Sequence, residues 1–313
     1  MAPLDTSPRI ALLLSTFNGA RFLAAQLDSL LAQTHAQWRL IWRDDGSSDE
    51  TVALMQAFAA ALGPDRCQCL ADSGQHLGAT ASFMALLRGA AADAANHAAA
   101  FVDQDDVWLP EKLARGLAAL ERTAADRPML YCARQVLVDA ELRRIGVSGP
   151  PARRPGFPAS LTQNLATGCT VMLNRAALRL LARSTPSPAS LHDWWCYLLV
   201  TAAGGAIVQD DEPVLLYRQH GNNLVGAPPS TTRRAVAALW RGPTVFMGVL
   251  RQHVAALAAQ PDLLSAAARA DIARLDAALQ HGWRARLAAL RLPGLRRQNW
   301  PETLLFRLWF LIG

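Results

Sequence analysis

Short apolar runs alternate with helical patterns over residues 9–138. The run at residues 10–14 has the length of a buried strand, and four leucines between residues 23 and 31 then recur at helical spacing. The alternation continues with a strand at 38–43, a helix capped by Ser48, a strand at 67–70, a helix at 79–92, a strand at 98–102, a helix with Pro110 at its start, and two strands at 129–138 and 142–147. This rhythm predicts an α/β fold with a Rossmann-like, mainly parallel sheet and helices on both faces.

The second half of the chain is patterned less regularly. Residues 149–158 are rich in Pro, Gly and Arg, which predicts a loop or flap. Beyond it the pattern predicts a strand at 166–173, a helix at 175–183, a helix that begins near His192, and strands at 206–209 and 214–218. From Pro228 onward the chain is rich in alanine and arginine at helical spacing. We therefore predict two regions, residues 1–226 and a helical, basic C-terminal region at 227–313.

Composition is that of an ordinary globular protein, with 313 residues, 51% hydrophobic and 18% charged. The N-terminus lacks the features of a signal peptide, and no apolar run is long enough to span a bilayer. The five cysteines are odd in number and lack zinc-like spacing, which favours reduced thiols. These features predict a cytoplasmic protein.

The net charge of +6 is concentrated near the C-terminus, because residues 277–313 contain six arginines and only one acid, Glu302. Such a segment predicts an anionic partner. The sequence contains no recognised nucleic-acid-binding module, so no nucleic-acid partner is predicted. Leucines and tryptophans among the arginines leave two interpretations open: a peripheral contact with an anionic membrane surface, or a helix that packs onto the rest of the protein.

Paired aspartates follow two of the predicted strands, at Asp44–Asp45 and at residues 103–106 (Asp-Gln-Asp-Asp). In an open α/β sheet the ligand crevice lies at the carboxyl ends of the strands. Asp103 and Asp105, two positions apart, are expected to point the same way and to repel unless a cation lies between them. Mg²⁺ or Mn²⁺ held between carboxylate and phosphate oxygens would satisfy that need. The alternative is that these aspartates are helix caps and turn residues.

Five motifs in order carry a resemblance to a known family. They are residues 14–19 (LSTFNG), 43–49 (RDDGSSD), 103–108 (DQDDVW), 192–195 (HDWW) and 217–223 (YRQHGNN). Together they resemble the inverting family-2 glycosyltransferases of the GT-A fold over about residues 9–226. The resemblance implies a nucleotide-sugar half at about 9–138 and an acceptor half at about 139–226. The third and fourth motifs resemble a rhamnosyltransferase-like branch.

The resemblance implies roles for the first, second, third and fifth motifs. Thr16, Phe17 and Asn18 would line the nucleotide pocket together with Asp45 and Gln104, and Asp44 would accept a hydrogen bond from a uracil or thymine imide. Asp103 would hold the ribose, Asp105 would ligate Mg²⁺ or Mn²⁺, and Asp106 would cap the following turn. His220 would reach the metal or the diphosphate, although a surface loop histidine is the alternative.

The fourth motif implies a general base, Asp193, which would take the proton of the acceptor hydroxyl. Many relatives carry glutamate where this chain has His192. Trp194 and Trp195 would form a wall for a sugar or acceptor, and Gly168 would permit close approach of the substrate. The alternatives are a helix cap with two core tryptophans, and a glycine that only relieves packing. Residues 75–83 also depart from the family pattern.

The resemblance therefore implies a metal-dependent, inverting transferase. It would move a sugar, best identified as L-rhamnose or a related deoxysugar, from a dTDP- or UDP-sugar to a hydroxyl of a cell-surface polysaccharide or a lipid-linked acceptor. Its place would be the cytoplasm, peripheral at the inner face of the plasma membrane. A catalytically inactive sugar-nucleotide scaffold or sensor is the alternative, although Asp193 disfavours it. A glycoside hydrolase would not need the nucleotide pocket, and a nucleotidyltransferase would bring a glycine-rich phosphate loop that is not present after the first strand.

Overall fold

A computed structural model describes residues 7–71, 74–122, 124–221 and 231–313, with side chains from 243 onward in the last range. The strands are β1 (Arg9–Thr16), β2 (Trp38–Asp44), β3 (Cys67–Cys69), β4 (Asn96–Val102), β5 (Val107–Trp108), β6 (Met129–Val138), β7 (Arg144–Val147), β8 (Met172–Asn174) and β9 (Ala206–Arg218). The helices are α1 (Ala20–Leu31), α2 (Thr51–Leu62), α3 (Ala79–Ala92), α4 (Lys112–Leu120), α5 (Arg175–Ala182), α6 (His192–Ala202), α7 (Thr231–Ala258), α8 (Ala266–Gln280), α9 (Gly282–Ala289) and α10 (Trp300–Ile312).

Within the described ranges, nine strands form one sheet in the order β3-β2-β1-β4-β8-β6-β9-β5, with β7 paired to β6. The N-terminal half, β3-β2-β1-β4, is parallel throughout. Beyond β4 the sheet is mixed, because β8 pairs antiparallel with both β4 and β6 while β6 and β9 are parallel. The α/β fold is confirmed, and its parallel part is the half that was predicted from the strand–helix rhythm.

Helices cover both faces of the sheet. Along β1, Ile10, Leu12 and Leu14 face the hydrophobic cluster of α1, α2 and α4, whereas Ala11 and Leu13 face the cluster of α3, α5 and α6. This alternation is the period of two expected of a strand that is buried on both sides. The predicted helices on both faces are confirmed. Because β3, β2, β1 and β4 run parallel, their carboxyl ends lie at the same edge of the sheet.

Several predicted element bounds were wrong. Ser48 is not a helix cap, because α2 begins at Thr51 with Glu50 at its N-cap. Residues 166–173 are not one strand, since a 3₁₀ turn (Gly168–Thr170) precedes the short β8. The predicted strands at 206–209 and 214–218 are a single strand, β9, whose pairing with β6 shifts register between residues 133 and 136. The predicted boundary at residues 226 and 227 lies outside the described residues.

The C-terminal region is helical, as predicted. Leu250 of α7, Ile272 of α8, and Phe306 and Phe310 of α10 are buried in the same hydrophobic cluster as α3, α5 and α6. The packing interpretation therefore holds for one face of this region. Other apolar side chains of the region are exposed, among them Trp283, Leu287, Trp300, Leu304, Leu308 and Ile312. No helix in the described part of the chain is long and apolar enough to span a bilayer.

Candidate active site

Loops from three adjacent strands meet at the carboxyl edge of the parallel half-sheet. The backbone N–H of Phe17, after β1, donates to Oε1 of Gln104, after β4, at 2.9 Å, and the Gln104 amide donates back to the Phe17 carbonyl at 2.9 Å. Asn18 accepts from the backbone N–H of Ser48, after β2, at 2.8 Å. The first three sequence motifs are thus brought together into one hydrogen-bonded crevice, at the place where open α/β sheets bind ligands.

Asp44 and Thr16 lie at the floor of this crevice, and both are buried. The Asp44 carboxylate accepts from the Thr16 hydroxyl at 2.9 Å, the backbone N–H groups of Gly46 and Ser47 at 3.0 and 2.7 Å, and the Ser47 hydroxyl at 2.6 Å. Gly46 has a φ of 92°, which glycine adopts without strain. These bonds make Asp44 the organiser of the turn after β2, and its predicted contact with a pyrimidine base stays a prediction.

Asp45 joins the same turn to the start of α3. Its carboxylate accepts from the buried Arg43 guanidinium at 2.6 Å and from the backbone N–H groups of Leu77 and Gly78 at 2.7 and 2.9 Å. The exposed ring of His76 lies beside Phe17, with ring centroids 5.2 Å apart. Phe17 and His76 thus form an exposed aromatic rim, whereas Thr16, Asp44 and Asp45 hold the loops in place.

An acidic cluster follows β4 and meets the end of β9. His220 Nε2 lies 2.9 Å from Oδ2 of Asp105, and the backbone N–H of Arg218 donates to buried Asp106 at 3.1 Å. The Arg218 side chain also donates to the Asp105 carbonyl at 2.8 Å. The fifth motif is therefore brought against the third across more than 110 residues, and the predicted pair Asp105 and His220 is in direct contact.

Lys112 is a buried cation beside this cluster, at the first residue of α4. Its ammonium donates to the Cys169 carbonyl at 2.5 Å and lies 3.1 Å from the centroid of the Trp108 ring. Burial lowers the pKa of Lys112 to about 7, while Cys169, Asp106 and Asp103 raise it. Lys112 therefore supplies positive charge to an acidic group that water reaches poorly.

The acidic cluster is a coupled electrostatic unit. Burial raises the pKa of Asp103, and the charges of Asp105 and Asp193 raise it further, while Lys112 opposes them. Burial also raises the pKa of Asp106 well above its usual range, with Asp103 and Asp105 adding to the effect. A concentration of carboxylates whose charges oppose one another in this way is a site that gains from a bound cation.

The donor set fits a hard divalent cation in part. One ligand atom each from Asp103, Asp106 and Cys169 lie within 4.8 Å of one another. Carboxylate oxygens suit Mg²⁺ or Mn²⁺, whereas the Cys169 thiol does not, because burial raises its pKa and keeps it protonated. Asp105 and His220, the predicted metal ligands, contact each other at 2.9 Å but are not part of this group, and their role as ligands stays a prediction.

Asp193 lies at the start of α6, beside the segment that holds Gly168. Its carboxylate accepts from the backbone N–H of Gly168 at 3.1 Å and that of Trp194 at 2.6 Å, and the Asn164 side chain also bonds to it. The helix N-cap is Leu191, so the alternative reading of residues 192 and 193 as the cap does not hold. Burial raises the pKa of Asp193 to about 6, and the hydrogen bonds lower it. A carboxylate with a pKa near neutrality is suited to proton transfer.

His192 lies under Asp193 as a neutral ring. Its ring stacks on Phe83 with centroids 4.0 Å apart, and burial lowers its pKa to about 3. Neither ring nitrogen bonds to a protein group in the described ranges. A Cβ on Gly168 would come within 2.9 Å of Nε2 of His192, so the glycine is required by this ring. The close approach at Gly168 is thus made by His192, and its predicted contact with substrate stays a prediction.

The two tryptophans after Asp193 differ in their surroundings. Trp195 is fully buried, and its indole N–H donates to the Ser184 hydroxyl at 2.9 Å, so its prediction as a wall for a sugar was wrong. Trp194 is half-buried, donates to the Ser160 carbonyl at 2.8 Å, and packs edge-on against His253 of α7. The tryptophans therefore join the active-site helix to the core and to the C-terminal region.

We expect Trp195→Ala to lower the free energy of unfolding by about 3–5 kcal/mol, because a large buried aromatic side chain is removed. Urea unfolding would measure this change. Trp283→Ala is the matched control, since Trp283 is 60% exposed, and it should change stability by no more than about 0.5 kcal/mol. A Trp195→Ala protein of unaltered stability would contradict the assignment of this residue to the core.

Sequence reasoning missed four residues of this site: Lys112, Cys169, Asn164 and Arg218 in its contacts with the acidic cluster. Two of them carried a signal: Lys112, as a lysine at the start of a predicted helix six residues after the acidic motif, and Arg218, as a member of the fifth motif. Cys169 and Asn164 reach the site through chain segments that are distant in sequence.

A parallel half-sheet with linked strand-end loops, an acidic cluster and a buried carboxylate beside it is the arrangement of an α/β protein with a ligand crevice at its strand ends. The chain belongs to glycosyl transferase family 2, because the sequence model described as "Glycosyl transferase family 2" matches residues 12–178. The recognition made from the five motifs is confirmed at the level of the family.

Curated relatives match parts of the chain. An uncharacterized glycosyltransferase of Nostoc sp. is 35% identical over 112 residues, which is 34% of this chain and 31% of the relative. An Escherichia coli UDP-Glc:alpha-D-GlcNAc-diphosphoundecaprenol beta-1,3-glucosyltransferase is 30% identical over 104 residues, which is 33% of this chain and 38% of the relative. The chain thus spans only about a third of the length of these two relatives.

Solved structures share the fold over most of the chain. S. aureus TarS 1-349 in complex with UDP has a TM-score of 0.53 at 14% identity and covers 90% of this chain and 78% of that one. A mannosyltransferase from Pyrobaculum calidifontis in complex with GDP-Man and Mn²⁺ has a TM-score of 0.52 at 17% identity and covers 96% and 87%. At these identities the likeness confirms the GT-A fold and nothing finer.

Proposed function

We propose that this protein transfers a sugar from a nucleotide-sugar to an acceptor hydroxyl with inversion at the anomeric carbon. The observation that carries the proposal is the position of Asp193. Its carboxylate accepts from the Gly168 N–H at 3.1 Å, and the thiol of the next residue, Cys169, lies within 4.8 Å of carboxylate oxygens of Asp103 and Asp106. A candidate base and a candidate diphosphate site therefore face one crevice. A scaffold or sensor that only binds a sugar-nucleotide does not need this carboxylate.

The proposed reaction uses the chain's own residues in two groups. Phe17, Asn18 and Gln104, with Asp44 and Asp45 holding their loops, bind the nucleoside. Asp193 accepts the acceptor hydroxyl proton while the oxygen attacks the anomeric carbon from the face opposite the leaving nucleoside diphosphate, which inverts that carbon. Asn164 and the Gly168 N–H fix the carboxylate in place.

Asp103, Asp105 and His220 are proposed to hold Mg²⁺ or Mn²⁺. When bound, the metal supplies Lewis-acid stabilisation of the charge that develops on the departing diphosphate. The Mn²⁺ named for the Pyrobaculum mannosyltransferase supports a divalent ion in this fold.

The donor is proposed to be a dTDP- or UDP-sugar, with L-rhamnose or a related deoxysugar as the sugar. The branch-like motifs at residues 103–108 and 192–195 support the deoxysugar. The acceptor is proposed to be a cell-surface polysaccharide or lipid-linked glycan, and the E. coli relative named for a diphosphoundecaprenol acceptor supports this class. Such an acceptor would be met at the cytoplasmic face of the membrane, where the basic C-terminal region is proposed to make peripheral contact.

We expect turnover with dTDP-L-rhamnose to exceed turnover with UDP-glucose, UDP-GlcNAc and GDP-mannose when each is tested with Mn²⁺ and a lipid-linked glycan acceptor. Release of nucleoside diphosphate, with product identified by mass spectrometry, measures it. If the protein uses only UDP-glucose, the proposed donor sugar is wrong, but the proposed reaction class still holds. Nucleotide-sugar binding without product for any donor would favour the sensor.

A further inference from the structure

A basic cavity lies where the 149–158 loop meets α10 and the loop before it. It has a volume of about 290 Å³ and is lined by Arg153, Arg296, Trp300, Thr303, Leu304 and Arg307. Arg153 comes from the 149–158 loop, and the other five residues come from α10 and the loop before it. The cavity therefore joins two parts of the chain that are more than 140 residues apart, from Arg153 to Arg296. We call it the arginine cavity.

Positive charge in the arginine cavity is not compensated within the described residues. Arg296 and Arg307 are exposed and form no salt bridge there, and the Arg153 guanidinium contacts only the Arg297 carbonyl, at 3.4 Å. The nearest acid in sequence, Glu302, is already paired with Arg297 at 3.1 Å. The cavity is thus lined by three arginines, and guanidinium groups bind the oxygens of a phosphate with paired hydrogen bonds.

The same cavity has an apolar side. Trp300 and Leu304 line it and are 70% and 58% exposed, and Leu308 and Ile312 continue the row at 52% and 66%. The four residues are spaced by four, so they occupy one face of α10. The opposite face is held in the core by Phe306 and Phe310. An exposed apolar row of this kind on a helix that is fixed by its other face marks a contact surface.

We propose that the arginine cavity binds the phosphate of an anionic phospholipid in a bilayer, with the exposed row of α10 lying at the headgroup boundary. The chemistry of the ligand follows from the combination: guanidinium groups for the phosphate, and an indole with three aliphatic side chains for the boundary between headgroups and acyl chains. A soluble anion would use the arginines but leave the apolar row in water. This inference rests on the proposed use of a membrane-associated acceptor.

The arginine cavity is linked to the candidate base by a short chain of contacts. The Arg297 guanidinium donates to the Thr162 carbonyl at 2.8 Å, and the Thr162 hydroxyl donates to the Arg296 carbonyl at 3.1 Å. Two residues further on, Asn164 bonds to the carboxylate of Asp193. A bilayer held at the cavity would therefore contact the part of the molecule that is bonded to the 162–164 segment, which also holds Asp193.

The test is co-sedimentation of the full chain with phosphatidylcholine vesicles, with and without phosphatidylglycerol. The double variant Arg296→Gln/Arg307→Gln removes the charge of the cavity. The matched control, Arg284→Gln/Arg291→Gln, removes the same charge from exposed arginines of the same region that do not line the cavity. A third variant, Leu304→Gln/Leu308→Gln, removes half of the apolar row.

We expect the unaltered protein to bind phosphatidylglycerol vesicles and the cavity variant to lose about 30-fold in partition, against at most about threefold for the control. The apolar variant should lose about tenfold or more. If the cavity variant and the control variant lose the same amount of vesicle binding, the proposed site is wrong and binding depends on the overall positive charge of the region. Equal binding to vesicles of phosphatidylcholine alone, whose phosphate is balanced by the positive charge of choline, would overturn the requirement for an anionic phospholipid. If glycerol phosphate binds the cavity as tightly as the vesicles do, the ligand is a soluble phosphate and the proposal of a bilayer is wrong. If the same variants lose a dimer that the unaltered protein forms, the cavity is occupied by a second copy of the chain.

Transfer to a short, water-soluble acceptor separates this inference from the proposed function. All three variants should retain it, because none of the altered residues lies in the crevice. If vesicle binding falls in the variants as expected but the protein transfers no sugar, the lipid site is supported and the proposed transferase function is wrong. If the protein transfers sugar normally but does not bind vesicles, the transferase function is supported and the lipid site is wrong.

Discussion

Asp193→Asn is expected to lower kcat by about 10²–10⁴-fold while donor affinity stays within about threefold. Asparagine keeps the shape of the side chain and its carbonyl oxygen can still accept from the Gly168 N–H, but it cannot take the acceptor proton. Single-turnover transfer and equilibrium binding of the nucleoside diphosphate would measure the two quantities. Asp211→Asn, which changes an exposed acid at the register shift in β9, is the matched control and should leave both unchanged.

The pH dependence supplies an independent check on Asp193. A general base acts only when ionised, and burial raises the pKa of this carboxyl to about 6. In the free enzyme kcat/KM should therefore fall about tenfold per pH unit below about 6 and level off above it. A collapse of donor affinity in Asp193→Asn with near-normal turnover would show that this carboxylate serves only to hold the 164–168 segment.

Asp105→Ala is expected to lower turnover by about 10³-fold or more and to remove metal-dependent binding of the nucleotide. The carboxylate proposed to face both metal and diphosphate is lost, and His220 loses its 2.9 Å contact. Titration of Mn²⁺ in the presence of the nucleoside diphosphate, followed by calorimetry, measures the coupling. EDTA should abolish the activity of the unaltered protein, and Mn²⁺ should restore it.

Two controls separate metal binding from structure at this position. Asp211→Ala removes an exposed carboxylate at the surface and should bind metal and nucleotide normally. His220→Gln tests the partner of Asp105, and it should weaken metal affinity by less than Asp105→Ala does, since it leaves every carboxylate in place. Full activity of the unaltered protein in EDTA would remove the metal from the proposed mechanism.

The predictions from sequence succeeded where local pattern decides the structure. The strand–helix rhythm located β1, β2, β4 and α3 within two residues, because apolar runs and helical spacing are properties of neighbouring residues. The same pattern failed at residues 166–173, where a 3₁₀ turn interrupts an apolar segment so that the Gly168 N–H can reach Asp193. It also divided β9 in two at its register shift.

Trp195 shows the same limit for the site. An aromatic pair next to a candidate base suits either a sugar wall or a core, and the two cannot be separated by spacing alone. Burial decided it, since the α6 helix turns Trp195 inward against Ser184. Lys112 is the converse case: its place at a helix start is visible in the sequence, but its role as the buried cation of the acidic cluster depends on Cys169, 57 residues away.

The sequence by itself determined the parallel half-sheet, the identity of the strand-end motifs and the family, because these depend on residues that are close together along the chain. Only the tertiary structure decided which motifs meet and what surrounds them. It placed His220 on Asp105, enclosed the acidic cluster around Lys112, raised the pKa of Asp193, and divided the C-terminal region into a buried face and an exposed one. The physical reason is that burial and charge–charge interaction act through space. The groups involved are far apart along the chain, so the local sequence around each of them does not indicate that they are in contact.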